Sequence, residues 1–516
     1  MSEKGTKIRT FVCEVDLATD VPPPASTFTL HSSSATETHL DRVPDKPVTH
    51  NNWRDFFKNT NNSALSVDRG FGAWAFLAAA FTVEGIVWAF PFSYGIFLDA
   101  YLQDPHISSQ KNAASLLPLA GMLSSGIIYC SALIVSLTAA SHPHHRHKLM
   151  WIGAALCCGT LIGASYATKI WLLILLQGIM YAIGAALLYL PCISFMSEWF
   201  VARRGMANGI IFSGTAAGGL LVPLILPQLI SKYGPSKTLR LLGIATGILL
   251  LLVLPFVKGR VPQTQVHTLL LASGTRSWMK HKSFWIFLAA NTLQGFGFFV
   301  PIVYLPTFAR ALRITPFNSA LVVGMSNAAG GVGGFFMGYL SDRFNPWILA
   351  LANLLATSAA TFILWGVCSH SLGGLLAFGI LYGSIAGGWS SMWAGFVRPV
   401  AGTLVSSVSC QGLKNKLEGD NVGMSTMLYG YLLLSRGIGN IVSNPISTKL
   451  LVYSQTHSVA SSPERTGFDV GDGRFKNIII YVGTCFAAAA SLVGLGLAIN
   501  IFTGTRRGDD QDLESV

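Results

Sequence analysis

Long apolar runs are the feature of this sequence that most limits what the chain can fold into. A helix needs about 20 predominantly apolar residues to cross a bilayer, and twelve segments of the 516-residue chain meet that requirement. Lipid offers no hydrogen bonds to a backbone, and a helix satisfies its backbone groups within one segment. The sequence therefore predicts an all-α integral membrane protein with twelve membrane-spanning helices. The predicted helices lie at residues 72–98, 112–140, 149–167, 170–196, 206–231, 238–257, 284–309, 318–340, 346–367, 372–397, 421–446 and 477–503.

The charge content also favours a membrane protein over a soluble one. Charged residues make up 11% of the chain and hydrophobic residues 51%, whereas soluble globular proteins carry about 25% charged residues. So few charges cannot cover a water-soluble fold of this length. The net charge of +12 comes from basic residues scattered between apolar runs. That distribution is typical of membrane loops and argues against a nucleic-acid interface.

The polar segments divide the chain into five predicted regions. Residues 1–67 are rich in Ser, Thr and Pro and predict a disordered cytosolic tail. Six-helix bundles are predicted at 68–257 and 284–503, with a basic cytosolic linker at 258–283 and a short cytosolic tail at 504–516. This is the layout of a two-bundle secondary transporter. Loop charges place both termini inside, and the plasma membrane is the predicted location.

Small residues recur in several predicted helices at the spacing that favours close helix packing. Gly214 and Gly218 lie in the fifth helix, and Gly330, Gly334 and Gly338 in the eighth. Membrane helices associate through such residues because their backbones can then approach closely. We expect these faces to pack tightly, and to slide or rock if the bundles move.

Three stretches carry a family resemblance. Asp68–Trp74 runs into the first helix, Glu198–Gly209 runs into the fifth, and Gly338–Arg343 follows the eighth. In this order and position they resemble the monocarboxylate transporter family of the major facilitator superfamily, especially its fungal branch. The resemblance covers about residues 68–503. It implies two six-helix bundles that move a small organic solute by alternating access, with no enzymatic chemistry.

The chain departs from that family where animal monocarboxylate carriers hold charged groups. Phe92 stands in the place of their lysine, and Gly330 and Gly334 stand in the places of an acidic residue and an arginine. The resemblance therefore leaves the solute open, since fungal members carry other compounds, riboflavin among them. One alternative function is an efflux carrier for a secondary metabolite. An alternative of another class is a transporter-like membrane sensor that binds a solute without moving it.

Two charged residues lie deep in the predicted helices. A charge at mid-bilayer costs at least about 2.5 kcal/mol, so it usually has a partner and a role. Glu84 in the first helix is predicted as a proton-coupling site, with a counter-ion for Arg436 or a structural hydrogen bond as alternatives. Arg436 in the eleventh helix is predicted to bind an anionic group through paired N–H donors. Its alternative role is an anchor to backbone carbonyls of a neighbouring helix.

Aromatic and amide side chains complete the predicted solute site. The resemblance implies that the first, fourth, seventh and tenth helices line the central path. Asn291 and Gln294 should face inward, because an amide exposed to lipid is costly. Trp389 and Trp393 lie one turn apart, where they can stack on a planar solute or serve only in packing. Phe92 belongs to the same predicted site.

A further predicted group of charges lies at cytosolic helix ends. We interpret these residues as gate charges that pair between helices, with simple interfacial anchoring as the alternative: Glu198, Arg203, Arg204, Asp342 and Arg343. The predicted partners are a small organic solute, protons and the lipid bilayer, with no nucleic acid and no inferable protein partner. No cofactor or metal is predicted, because the cysteines lack CxxC spacing and no nucleotide-binding loop is present.

Overall fold

The computed structural model describes most of the predicted membrane region. The described residues are 70–141, 145–200, 204–259, 282–341, 343–393, 395–397, 411–457 and 466–514. The predicted tail at 1–67 and nearly all of the predicted linker at 258–283 lie outside these ranges, so both stay predictions.

Eleven long helices make up most of the described chain. Each coincides with one or two of the predicted apolar segments, because continuous apolar sequence of this length is stable in lipid only as helix. In chain order they are α1 Phe71–Gln103, α2 Ala113–Ser141, α3 Arg146–Ala164, α4 Tyr181–Trp199, α5 Arg204–Val253, α6 Lys282–Ala311, α7 Pro316–Ser341, α8 Pro346–Ala360, α9 Leu372–Gly387, α10 Gln411–His457 and α11 Lys476–Glu514.

Three of these helices have an irregular neighbour. α4 follows a short helix and a π-helical turn at Ile174–Met180, and α8 continues as a π-helix at Thr361–Cys368. α9 continues as a 3₁₀-helix at Gly388–Met392. The change of winding after α9 alters the direction of the side chains there, which matters because Trp389 and Trp393 lie in and just after that turn.

The long helix α5 holds the fifth and sixth predicted spans. Gly234 breaks it with φ 77° and ψ 166°, a conformation that is essentially restricted to glycine. Pro235 follows at once and cannot donate a backbone hydrogen bond to the preceding turn. The two spans therefore meet at a tight break in place of a loop.

The described helices account for all twelve predicted spans. Ten apolar stretches are long enough to cross a membrane, and the one at Met206–Phe256 contains both spans of α5. The eleventh predicted span lies in α10, which extends well beyond the predicted 421–446 at both ends. α11 also continues to Glu514, so the predicted C-terminal tail at 504–516 begins as an extension of the last helix.

Glycine faces bring the helices into backbone contact, as their spacing predicts. A Cβ atom on Gly218 of α5 would collide with the carbonyl oxygen of Gly85 of α1, so the two backbones are in contact here. A Cβ on Gly383 of α9 would likewise collide with the carbonyl oxygen of Ser326 of α7, so these two backbones are also in contact. Gly330 faces α9, where its Cβ would lie 3.4 Å from the oxygen of Gly383. The predicted close packing is confirmed at these interfaces.

Three helix pairs provide most of the contact between the first half of the chain, α1 to α5, and the second half, α6 to α11. These pairs are α1 with α6, α2 with α10, and α5 with α7. The buried side chains between α1, α2, α6 and α10 therefore come from both halves. This arrangement positions the candidate site described next.

Candidate functional site

Arg436 of α10 lies in a cage of aromatic rings contributed by both halves of the chain. Its guanidinium carbon is 4.2 Å from the ring centroid of Phe298, 5.5 Å from that of Tyr129 and 5.9 Å from that of Trp393. The arginine is only 2% exposed. A desolvated cation gains about 2 kcal/mol or more from an aromatic face. The rings therefore offset part of the cost of burying this charge.

Arg436 keeps free hydrogen-bonding capacity despite its burial. Its Nε atom has no hydrogen-bond partner. Within the described ranges the ion pairs are Arg146–Glu198 and Arg310–Asp99, so Arg436 has no carboxylate partner there. The N–H donors of a guanidinium lie in one plane, and they fit a carboxylate in two parallel bonds. The site is therefore suited to an anionic group.

Glu84 of α1 is buried against α5. Its Oε1 atom accepts a 2.9 Å hydrogen bond from the hydroxyl of Thr215, and the residue is 3% exposed. The contact of Gly85 with Gly218 brings the two backbones together at this level, so a short threonine side chain reaches the carboxyl group. In the described structure Glu84 is not ion-paired with Arg436. The hydrogen bond from Thr215 is present, and the role of Glu84 stays a prediction.

An aromatic wall, formed by Trp88 and Tyr129, borders both charged groups. The Trp88 ring, one turn after Glu84, has its centroid 4.9 Å from that of Tyr129. Tyr129 in turn lies under the guanidinium of Arg436. Glu84 and Arg436 therefore border the same group of rings without touching each other.

Two buried amides near the cage have no hydrogen-bond partner at either polar atom. Gln294 is 0% exposed and Asn440 is 1% exposed. An unsatisfied buried amide costs about 1–3 kcal/mol. Gln294 lies one turn before Phe298, and Asn440 lies one turn after Arg436, so each shares a helix face with a cage residue. Asn440 was not among the predicted site residues, although its four-residue spacing from Arg436 is visible in the sequence.

The other predicted amide, Asn291, is used within the protein. Its Nδ2 donates 2.7 Å hydrogen bonds to the carbonyl oxygen of Leu432 and to the hydroxyl of Ser435. Its Oδ1 accepts a 2.7 Å bond from the indole N–H of Trp389. Asn291 and Trp389 thus tie α6 to α10 and to the turn after α9. Trp393 differs, because its indole N–H has no partner and its ring belongs to the cage.

Phe92 lies on a closed contact between α1 and α6. Its ring stacks on that of Phe299 at a centroid distance of 5.3 Å. One turn further, a Cβ on Gly95 would lie 2.7 Å from the carbonyl oxygen of Val303. The two helices are therefore in backbone contact here. We call this side of the molecule, where α1 and α6 end, the Asp99 end.

An ion pair joins α1 and α6 at the Asp99 end. Arg310 donates two hydrogen bonds of 2.6 Å, from Nε and Nη2, to the carboxylate of Asp99. A cavity of about 440 Å³ lies beside the pair, and Gln103, Asp104 and Ser319 also line it. Sequence reasoning missed this pair, because the two residues lie at the ends of separate helices and are far apart in the chain.

The predicted gate charges are only partly described. Glu198 at the end of α4 forms a 3.0 Å ion pair with Arg146 at the start of α3, within one half of the chain. The guanidinium of Arg343 lies 4.7 Å from the ring centroid of Tyr339 on the preceding turn. Arg203, Asp342 and the side chain of Arg204 lie outside the described residues. The gate role therefore stays a prediction.

A family model supplies the identification. The model described as Major Facilitator Superfamily matches residues 139–413, more than half of the 516-residue chain. The chain belongs to the major facilitator superfamily. As a member of this superfamily it is a multi-pass membrane transporter of a small solute, which agrees with the apolar spans of its helices.

Two curated relatives of this superfamily member come from fungi. The MFS transporter asaE of Aspergillus flavus is 27% identical over 342 residues, covering 66% of this chain and 70% of that protein. The aspyridones efflux protein apdF of Emericella nidulans is 24% identical over 323 residues, covering 62% of this chain and 63% of that protein. The similarity therefore extends over most of the membrane region.

Solved structures show the same fold at low sequence identity. The nucleoside transporter NupG has a TM-score of 0.56 and 14% identity, covering 83% of this chain and 99% of that chain. The D-xylose-proton symporter has a TM-score of 0.54 and 14% identity, covering 81% of this chain and 97% of that chain. At this identity the likeness shows the major facilitator fold alone.

Proposed function

We propose that this transporter moves an organic anion whose charged group binds Arg436. The observation that carries the proposal is a buried guanidinium with an unpartnered Nε and aromatic rings around it. A buried cation without a carboxylate partner is strongly stabilised by a ligand anion, since each then compensates the other's desolvation. The rings of Phe298 and Trp393 suit a planar or apolar body on that ligand.

Proton coupling through Glu84 is the second element of this proposal. The carboxyl group is buried, is not ion-paired in the described structure, and borders the same aromatic wall as Arg436. A proton on Glu84 changes the charge near the substrate site by one unit. Binding of the anion and of the proton are then linked, which is the requirement for coupled transport.

The direction and the membrane belong to the proposal as well. A relative named as an efflux protein for aspyridones supports export. We propose the plasma membrane as the location, with both termini cytosolic, which places the Asp99 end outside. The three motifs that resemble the fungal monocarboxylate branch support that branch as the origin of the chain.

Transport by Arg436 variants tests the anion site. We expect Arg436→Gln to abolish transport and Arg436→Lys to reduce it about tenfold or more, because lysine keeps the charge and loses the planar fork. The solute is read out by an untargeted metabolite comparison of host cells and medium, with and without the protein. Arg313→Gln, an exposed arginine near the end of α6, is the control and should transport normally.

Each contrary outcome has a definite meaning. Full transport by Arg436→Gln at normal surface expression contradicts the anion site. A metabolite profile that is the same with and without the protein contradicts transport and favours the sensor function. If the transported solute accumulates inside the cells and not in the medium, export is contradicted.

A further inference from the structure

The amides of Gln294 and Asn440 are the part of this region that the anion site does not explain. All four of their polar atoms are buried and have no hydrogen-bond partner. Buried polar groups in folded proteins are normally bonded, so unsatisfied ones call for a specific explanation. Asn291, one turn before Gln294, uses both N–H groups and its oxygen within the protein. Asn291 therefore shows that a buried amide on α6 can be fully bonded within the protein.

Backbone contacts place the neighbours of both amides at one close approach of α6 and α10. A Cβ on Gly295 would lie 2.8 Å from the carbonyl oxygen of Arg436, so the neighbour of Gln294 touches α10 there. A Cβ on Gly439 would collide with the carbonyl oxygen of Thr292, so the neighbour of Asn440 touches α6. The two amides therefore flank one tight contact between α6 and α10.

Each amide lies on the same helix face as one residue of the Arg436 site. Phe298 follows Gln294 by one turn, and Asn440 follows Arg436 by one turn, a rise of roughly 5.4 Å. Phe298 and Arg436 are in contact at 4.2 Å. Residues four apart on a helix lie on the same face. Gln294 and Asn440 thus each lie about one helical turn from a residue of the cage, on the same face of their helix.

We propose that Gln294 and Asn440 form a second, uncharged subsite for the same ligand, which rests on the proposed function. An amide has both N–H donors and an oxygen acceptor, so it bonds a hydroxyl or a carbonyl group. The substrate class is an organic acid that carries a neutral hydroxyl or carbonyl group beside its carboxylate. A site with unpaired amides rejects an acid without that oxygen, because the amides then stay unsatisfied.

A matched pair of planar acids tests the subsite. Benzoate carries only the carboxylate, and 3-hydroxybenzoate adds a hydroxyl group at the meta position. Binding to the purified full-length protein is measured by quenching of tryptophan fluorescence, and stability by thermal unfolding. We expect wild type to bind 3-hydroxybenzoate about tenfold more tightly than benzoate. Gln294→Leu and Asn440→Leu should each reduce that ratio by weakening the binding of 3-hydroxybenzoate.

Stability separates a ligand role from a structural role. Leucine removes unsatisfied polar atoms from an apolar environment, so both leucine variants should unfold at the same temperature as wild type or higher. The matched control is Asn291→Leu, which breaks three hydrogen bonds and should unfold at a lower temperature. Lower unfolding temperatures for Gln294→Leu and Asn440→Leu would mean that their amides are structural.

The remaining outcomes distinguish the two proposals. Equal affinity of wild type for both acids overturns the subsite and leaves the anion site intact. Benzoate binding that survives Arg436→Gln overturns the anion site. A wild-type protein that binds neither acid contradicts both.

Discussion

The Asp99 carboxylate and the Arg310 guanidinium form two parallel hydrogen bonds of 2.6 Å across the boundary between the halves of the chain. The Asp99 side chain is 13% exposed and that of Arg310 is 44% exposed. A partly exposed pair contributes only ~0–1 kcal/mol to stability. Its position between α1 and α6 is more significant than its strength, because it connects two elements that must separate if the Asp99 end opens.

Exchanging the two charges tests this connection. Asp99→Arg alone and Arg310→Asp alone each leave like charges face to face, and we expect both to lose most transport. The double variant, Asp99→Arg with Arg310→Asp, again places opposite charges face to face and should recover transport. Arg313→Asp, a similar change three residues away, should have little effect on transport. A double variant as inactive as the single ones would mean that the pair does not act as a unit.

Gly95 should control closure of the same end. A Cβ here would lie 2.7 Å from the Val303 oxygen and 2.8 Å from the Ile302 oxygen, so Gly95→Ala disfavours the closed contact. We expect faster alkylation of a cysteine introduced at Gln103, which lines the neighbouring cavity. Gly159→Ala is the control, because nothing lies within 4 Å of its added methyl group. Equal alkylation rates in the two alanine variants would contradict this prediction.

Glu84 should determine how transport depends on pH. Glu84→Gln keeps the size and the hydrogen bond with Thr215 but cannot exchange a proton. We expect wild-type transport to change with pH and the Glu84→Gln profile to be flat. Glu84→Asp retains a carboxyl group and should retain pH dependence. Identical profiles for wild type and Glu84→Gln would exclude Glu84 as the coupling site.

The two tryptophans after α9 should differ when replaced by phenylalanine. Trp389→Phe removes the 2.7 Å bond to Asn291 and leaves a buried oxygen unpaired, which costs about 1–3 kcal/mol. Trp393→Phe removes an indole N–H that has no partner. We therefore expect Trp393→Phe to lose less stability than Trp389→Phe. Thermal unfolding of the two variants side by side measures the difference. A larger loss in Trp393→Phe would contradict the hydrogen-bond assignment.

The sequence by itself determined the architecture of this protein. Hydrophobicity and helix length are local properties, so twelve apolar runs sufficed to predict twelve spans. The glycine spacing of α5 and α7 is also a local property, because residues on one helix face recur at a short repeat. That spacing predicted that each of these helices packs closely against a neighbour. Glu84 and Arg436 stood out because a charge inside an apolar run is costly wherever the run packs.

Only the tertiary structure decided which of these groups meet. The partners of a side chain come from other helices, and their rotation is not encoded in any one segment. Asn291 and Gln294 look alike in the sequence, yet one is fully bonded and the other is unsatisfied. Asp99 and Arg310 likewise become a pair only when α1 and α6 pack together. Helix packing thus decides which polar side chains are bonded within the protein and which are not.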